Sequence, residues 1–451
     1  MNAMLHDLRE RLTPTQRDGF PVMRGYVPGL GHVPALYSRA VETLRRAERE
    51  QGPFVQVDIG FGQWHLFCFG ADVFEVLKHR AAVISGARDR LRYLLGSSLV
   101  TMDGAPHRRV RSAMNPTFSA RGLAESTAAR VTQETVRRHA ASFIEAGGGD
   151  AHAHTQAMAL DVIFRIVGVD VEALEEWRVH YRRALWGFIP FPSEGPGTPR
   201  YFAFRATAWI DGELRRLVAQ ARAEEGTSMM HALVRARDED GHPLAEDELI
   251  SNLRLLFLAG HETTATTMTF AVAHLAARPD LVRRLAEEVE AAGGEPPVSL
   301  ADAKKLPLCE GVFREAVRLY GPAWFLARTL TEDVTVRGTS IRAGTRIALC
   351  ALLWGRDPAV YPDPDRFDPD RWIGKPSAPT PYEMSQFGGG AHFCLGYHLS
   401  WLESVQYLAA LAGLLSRSKK RLRLAGASVP KVVQFPLPRP SPAARVVIEP
   451  A

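Results

Sequence analysis

Phe387-Gly-Gly-Gly-Ala-His-Phe-Cys-Leu-Gly396 is the segment that most narrows what this 451-residue chain can fold into. Cys394 is flanked by glycines, with Phe387 and His392 ahead of it and an apolar helical pattern, Tyr397 to Gly413, directly behind. A thiolate is favoured just ahead of a helix, where free N–H groups and the helix dipole supply positive potential. Glycine at 390 and 396 lets backbone approach the sulfur and whatever it binds. A lone cysteine is more often a small buried hydrophobe. The joint spacing Phe-x-x-Gly-x-His-x-Cys-x-Gly points instead to a thiolate ligand.

That segment resembles the haem-binding loop of the cytochrome P450 family, with His392 where the family more often carries arginine. The resemblance implies a mainly α fold with small β-sheets in a single large domain spanning 1–451. It also implies b-type haem with Cys394 as the iron ligand, Phe387 among the haem-binding residues and His392 as a propionate partner. No Cys-x-x-Cys-His attachment sequence is present, so the haem should be held noncovalently. A histidine at 392 would carry a charge that depends on pH near neutrality, unlike the arginine it replaces.

Ala259-Gly-His-Glu-Thr-Thr264 lies inside the longest helical pattern, about Ala245 to Ala277. Gly260 removes a side chain where a flat macrocycle could press on the backbone. The Thr263 hydroxyl can bond the Ala259 carbonyl four residues back, which would loosen and bend the helix. Activating dioxygen consumes protons, and a hydroxyl beside a carboxylate suits their delivery. The family's oxygen-activating segment has this form, so the resemblance assigns Thr263 and Glu262 as the catalytic relay.

Haem propionates need donors from several directions. His107 and Arg111 stand one turn apart on a helical pattern opening after Asp103-Gly104, and Arg328 follows the helical pattern 308–320. The resemblance gives these three residues to the propionates. It also joins Glu315 and Arg318 to Arg371 of Phe367-Asp-Pro-Asp-Arg-Trp372 in a buried triad that places the haem loop. Other Glu/Arg pairs at this spacing, Glu42–Arg45, Glu134–Arg137, Glu175–Arg178 and Glu213–Arg216, read as surface pairs. Period-2 geometry puts Trp324 and Leu326 beside Arg328 as pocket wall, with Leu256, Ala259, His261 and the loop 87–95 as further wall.

Val55, Val57 and Ile59 alternate with polar residues and turn at Gly60-Phe-Gly62 into a second strand near 65–69. Further strands are expected at 334–336, 341, 346–349 and within 421–448, with helices near 124–146, 155–168, 203–224, 245–277 and 279–292. The stretch Gly187–Arg200 reads as a loop, and with Phe188, Phe191, Tyr201 and Phe202 as a lid over an apolar pocket. Residues 1–25 read as a polar N-terminal extension without a membrane anchor.

Net charge is +5 with arginines scattered along helical patterns, which argues against nucleic acid and suits an acidic protein partner. Four cysteines without paired or metal-type spacing suit a reducing, cytoplasmic setting. The resemblance therefore implies insertion of one oxygen atom of O2 into a hydrophobic small molecule such as a fatty acid, terpenoid or polyketide. Electrons would come from a separate ferredoxin or flavodoxin with its reductase, docking on basic residues such as Arg108, Arg109 and Lys419–Arg421. A peroxygenase or oxidative coupling enzyme on the same fold stays open, as does a haem-thiolate sensor without turnover.

Overall fold

The computed structural model describes residues 14–84, 92–169, 174–188, 195–374, 383, 385–434 and 438–451. Helices dominate: α1 (Val33–Gln51), α2 (Gly104–Phe118), α3 (Ala128–Glu145), α4 (Ala151–Val167), α5 (Leu174–Leu185), α6 (Pro199–Ala223), α7 (Glu246–Ala277), α8 (Pro279–Ala291), α9 (Pro307–Tyr320) and α10 (Tyr397–Arg417). Their boundaries follow local chemistry. Asp150 caps α4 by accepting from His152 N and Ala153 N, and Gly168 closes it in the left-handed conformation. Prolines 279 and 307 open α8 and α9, where the missing N–H has no helical partner to lose.

Helix α7 is apolar on nearly all sides and forms the axis of the helical core. Its 32 residues span roughly 48 Å at 1.5 Å each. It packs along α4 and against α6, α9 and α10. The Thr263 hydroxyl does take the Ala259 carbonyl, yet α7 stays helical throughout rather than breaking there.

The larger sheet has strand order β1-β2-β5-β4-β3, with β1 Phe54–Asp58, β2 Trp64–Cys68, β3 Ala82–Val83, β4 Leu326–Leu330 and β5 Arg346–Leu349. Val55 pairs with Phe67 across the expected hairpin, whose turn residue Phe61 has φ 52°. Strand β5 joins β2 in parallel and β4 antiparallel, with Ile347 opposite both Leu66 and Arg328. This register is what delivers Arg328 to the site. Strands 420–424 and 445–450 pair near the C-terminus and are extended by 148–150.

Two expectations change. The stretch read as a polar extension is partly built into the fold: 16–17 pairs with 20–21, and Met23 is buried against β1. The helix expected over 124–146 is two, Ala120–Glu125 and α3, divided at Ser126 and Thr127. Residues 189–194 and 87–91 lie outside the described residues, and with them the centre of the proposed lid and much of one proposed wall.

Candidate active site

The cysteine loop is shaped by backbone contacts that only glycine permits. Gly388 and Gly390 have φ of 78° and 62°, and a Cβ on Gly390 would sit 2.6 Å from the Leu77 carbonyl oxygen. The Cys394 N–H donates to the Phe387 carbonyl at 2.8 Å, closing the loop, and the Phe387 ring meets Tyr397 edge-on at 5.0 Å. Gly396 then leads into α10. Burial pushes the Cys394 thiol up, while the Gly396 N–H and the Arg111 charge pull the other way.

One cavity brings together Cys394, Phe387, His392, His107, Arg111, Arg328, Gly260 and Thr263. It encloses about 1560 Å³ of empty space, part of it open to solvent. Arg111 donates to the Phe393 carbonyl and to Asn115 Oδ1, each at 2.7 Å, so α2 grips the loop beside the sulfur. His392 Nε2 donates to Asp103 Oδ1 at 3.0 Å, and its ring lies 4.2 Å from that of His107. Burial, followed by the neighbouring His392 and Arg111, lowers the His107 pKa to about 4. Burial thus favours the neutral imidazole at His107, a bias that a propionate carboxylate beside it would oppose. The His107 Nε2 is buried without a hydrogen-bond partner.

These features fit a b-type haem. A thiol, an unpartnered buried imidazole nitrogen and two arginines face one space, and Gly396 leaves room where a Cβ would meet nothing within 4 Å. A macrocycle with two carboxylates satisfies that donor set.

Glu262 departs from the expected arrangement. It does not line the cavity. Its carboxylate instead faces α4, with the Gln156 side-chain NH2 at 3.1 and 3.2 Å from its two oxygens. His261 shares that side of the helix and lies in the core rather than in the pocket wall. Trp324 also leaves the wall. It precedes β4 and packs on Phe67 and Phe325, whereas Leu326 and Arg328 do line the cavity. Leu256 and Ala259 line it as expected.

The triad is present: Arg318 donates to both Glu315 oxygens at 2.7 and 2.5 Å, and Arg371 Nε to Glu315 at 3.1 Å. Trp372 Nε1 and Asp368 N complete the set at 2.9 and 2.8 Å. Two expected surface pairs form, Glu175–Arg178 and Glu213–Arg216. Arg45 pairs with Asp365 and Arg137 with Glu295 instead of their helix neighbours. Arg109 is committed to Glu248 and Asp238, and Arg421 to Glu449.

One residue escaped the sequence reading. Glu403 of α10 lines the cavity, is 4% exposed, and its Oε1 has no partner; burial alone pushes its carboxyl up to about 8. The signal available was a single acid among Trp401, Leu402, Val405 and Tyr407.

The comparisons agree with this geometry. The family model for cytochrome P450 matches residues 22–179 and 206–413. The chain is similar to "Cytochrome P450 BJ-4 homolog" of Sinorhizobium fredii, at 33% identity over 91% of this chain and 92% of that one. It is 31% identical to "Cyclooctat-9-en-7-ol 5-monooxygenase" of Streptomyces melanosporofaciens, over 88% of each chain. Among solved structures, retinoic acid bound cyanobacterial CYP120A1 superposes with a TM-score of 0.81 at 23% identity, covering 94% of this chain and 97% of that one. The chain belongs to the cytochrome P450 family, whose members hold haem through a cysteine thiolate.

Proposed function

We propose that this monooxygenase acts on an uncharged, largely hydrocarbon molecule of terpenoid type. The observation that carries the reading is the composition of the cavity wall. Leu99, Val100, Ile163, Ile166, Leu255 and Leu256 face the same space as Thr263 and Cys394. Among the described lining residues the basic groups are His107, Arg111, Arg328 and His392, the set assigned to propionates. With those engaged, a fatty-acid carboxylate would find no counter-ion, so burying it would be costly. The relatives named cyclooctat-9-en-7-ol 5-monooxygenase and pentalenene oxygenase, the latter 28% identical, support the same substrate class.

Bound haem supplies the reductive activation of O2 and the transfer of one oxygen atom to substrate, by hydroxylation or epoxidation. The chain's residues do the rest. Cys394 holds the iron and donates electron density. Arg111 and Arg328 carry charge to the propionates, while His107 and His392 add hydrogen bonds. Gly260 keeps the helix face flat, and the aliphatic wall excludes water and orients substrate. Thr263 presents a hydroxyl for proton delivery and Glu262 recharges it from behind. The chain works as one catalytic domain in the cytoplasm, supplied with electrons by a separate ferredoxin or flavodoxin and its reductase. Of the basic residues considered for docking, Arg108 and Lys419 are exposed and make no ion pair among the described residues, so they are the ones to reverse.

A screen of lipophilic compounds for a shift of the Soret band tests the substrate class. Terpenoid hydrocarbons and alcohols should shift it and free fatty acids should not; the opposite order removes the proposal. A reduced, carbon-monoxide-treated spectrum typical of a nitrogen-ligated centre would remove Cys394. Turnover with peroxide alone, equal to that with reductant and O2, would favour a peroxygenase.

A further inference from the structure

Glu262 sits behind the cavity wall, and the groups around it indicate the side from which protons come. Helix α4 presents Gln156 and His152, one turn apart. The Gln156 amide holds the carboxylate. His152 acts on Glu262 electrostatically while its Nδ1 lies 3.0 Å from Thr269 Oγ1, which in turn meets Thr155 Oγ1 at 2.8 Å. The segment 438–441 also reaches this face of α7: Pro438 O accepts from Thr266 Oγ1, one turn on from Glu262, at 2.9 Å, and Arg439 acts on both Glu262 and His152.

The remaining titratable groups here are His261, Asp150 and Arg178. His261 brings its Nδ1 to 3.5 Å from Glu262 Oε1 but is almost wholly buried, so it is not a route to solvent. Asp150 is the cap of α4, beside His152. Arg178 acts on His261 from α5. His152 is the half-buried histidine of this cluster, with more solvent contact than His261.

We propose that protons enter between the first turn of α4 and the segment 438–441, with His152 as the group that exchanges with solvent. Gln156 is the positioning residue that keeps the Glu262 carboxyl at the back of the helix until transfer. This rests on the Glu262–Thr263 relay described above. In the transfer, the His152 imidazolium gives a ring proton to the Glu262 carboxylate, directly or across one water. Neutral imidazole and a carboxylic acid result; the acid passes its proton toward Thr263, and His152 regains one from solvent. The hold on Glu262 suits this cycle. A neutral amide at 3.1–3.2 Å releases a side chain more easily than a bidentate arginine would.

The test uses haem-loaded protein carrying His152→Phe, Gln156→Leu and Glu262→Gln. Difference infrared spectra give the Glu262 carboxyl band as the one lost in E262Q, and its titration is followed without turnover. Both other substitutions remove an interaction that favours the carboxylate, so the band's midpoint should move to higher pH in each. With reductant, O2 and the compound giving the largest Soret shift, H152F should lower product per reductant about tenfold. It should also raise peroxide release and enlarge the solvent isotope effect, with the Soret shift unchanged. If H152F matches wild type in coupling and isotope effect while E262Q is impaired, the entry route is wrong and the relay stands. If E262Q also matches wild type, the relay itself falls. Should phenylalanine at 152 prevent haem loading, His152→Asn repeats the test with a polar side chain that does not titrate near neutrality.

Discussion

His392 Nε2 donates to Asp103 Oδ1, which also accepts the Ile84 N–H at 2.9 Å, so one carboxylate ties the cysteine loop to the turn that opens α2. An arginine in place of His392 would keep a charge at every working pH. The histidine gives instead a short link that fixes loop position through Asp103. Residues that hold a ligand loop in place typically change metal affinity 10- to 100-fold when removed. His392→Ala should therefore release haem to an apomyoglobin acceptor about tenfold faster. Asp103→Asn, which keeps an acceptor for both donors, should fall between the two. Equal release rates for wild type and H392A would show that the loop needs no such tie.

Glu315 receives five donor contacts from Arg318, Arg371, Trp372 and the Asp368 N–H, and both Glu315 and Arg318 are buried. Breaking a buried pair strands the survivor's charge, at a cost of about 3–5 kcal/mol. Glu315→Ala should thus lower the denaturation midpoint sharply and reduce the fraction of chain that retains haem. Arg371→Ala removes a single hydrogen bond to Glu315 from a half-buried position and should lose clearly less. Chemical unfolding followed at the Soret band distinguishes the two.

What could be read from the chain was local. The cysteine loop, the α7 segment and the Glu315 helix each carry their chemistry within about ten residues, so their composition announced them. Orientation was harder. Leu256, Ala259, Gly260, Thr263 and Thr267 recur at helical spacing and all line the cavity, which leaves Glu262 about 100° off that face. The spacing held this information, but α7 is buried nearly all round and gives no amphipathic contrast to say which face matters. Trp324 failed for a different reason. The strand starts at Leu326, beyond the Gly321-Pro322 break, so period-2 alternation does not extend back to it. Partner choice for Arg45, Arg109 and Arg137 depends on tertiary approach and was out of reach.

Thr263 offers a prediction independent of how Glu262 is recharged. Its hydroxyl lines the cavity and donates to the Ala259 carbonyl, so removing it deletes a proton-carrying group without opening the helix. Thr263→Ala should keep the substrate-induced Soret shift while product per reductant falls about tenfold and peroxide rises. Thr263→Ser should restore most of the coupling. A T263A variant as well coupled as wild type would remove the hydroxyl from the relay.

Glu403 should leave a mark on the pH dependence of stability, and its sign is opposite to that of a salt-bridged acid. Burial raises its carboxyl to about 8 from an ordinary 4.5. Between those values the folded chain binds a proton that the unfolded chain has lost, so this group favours folding most at low pH and its contribution is lost as pH rises through about 8. The loss has an upper bound on the order of 4–5 kcal/mol above that pH. Glu403→Gln keeps the shape and cannot ionise, so its denaturation midpoint should decline less than that of wild type between about pH 6 and about pH 9. Parallel curves for the two proteins would mean that Glu403 is already ionised at neutral pH, with a counter-charge reaching it in the folded state.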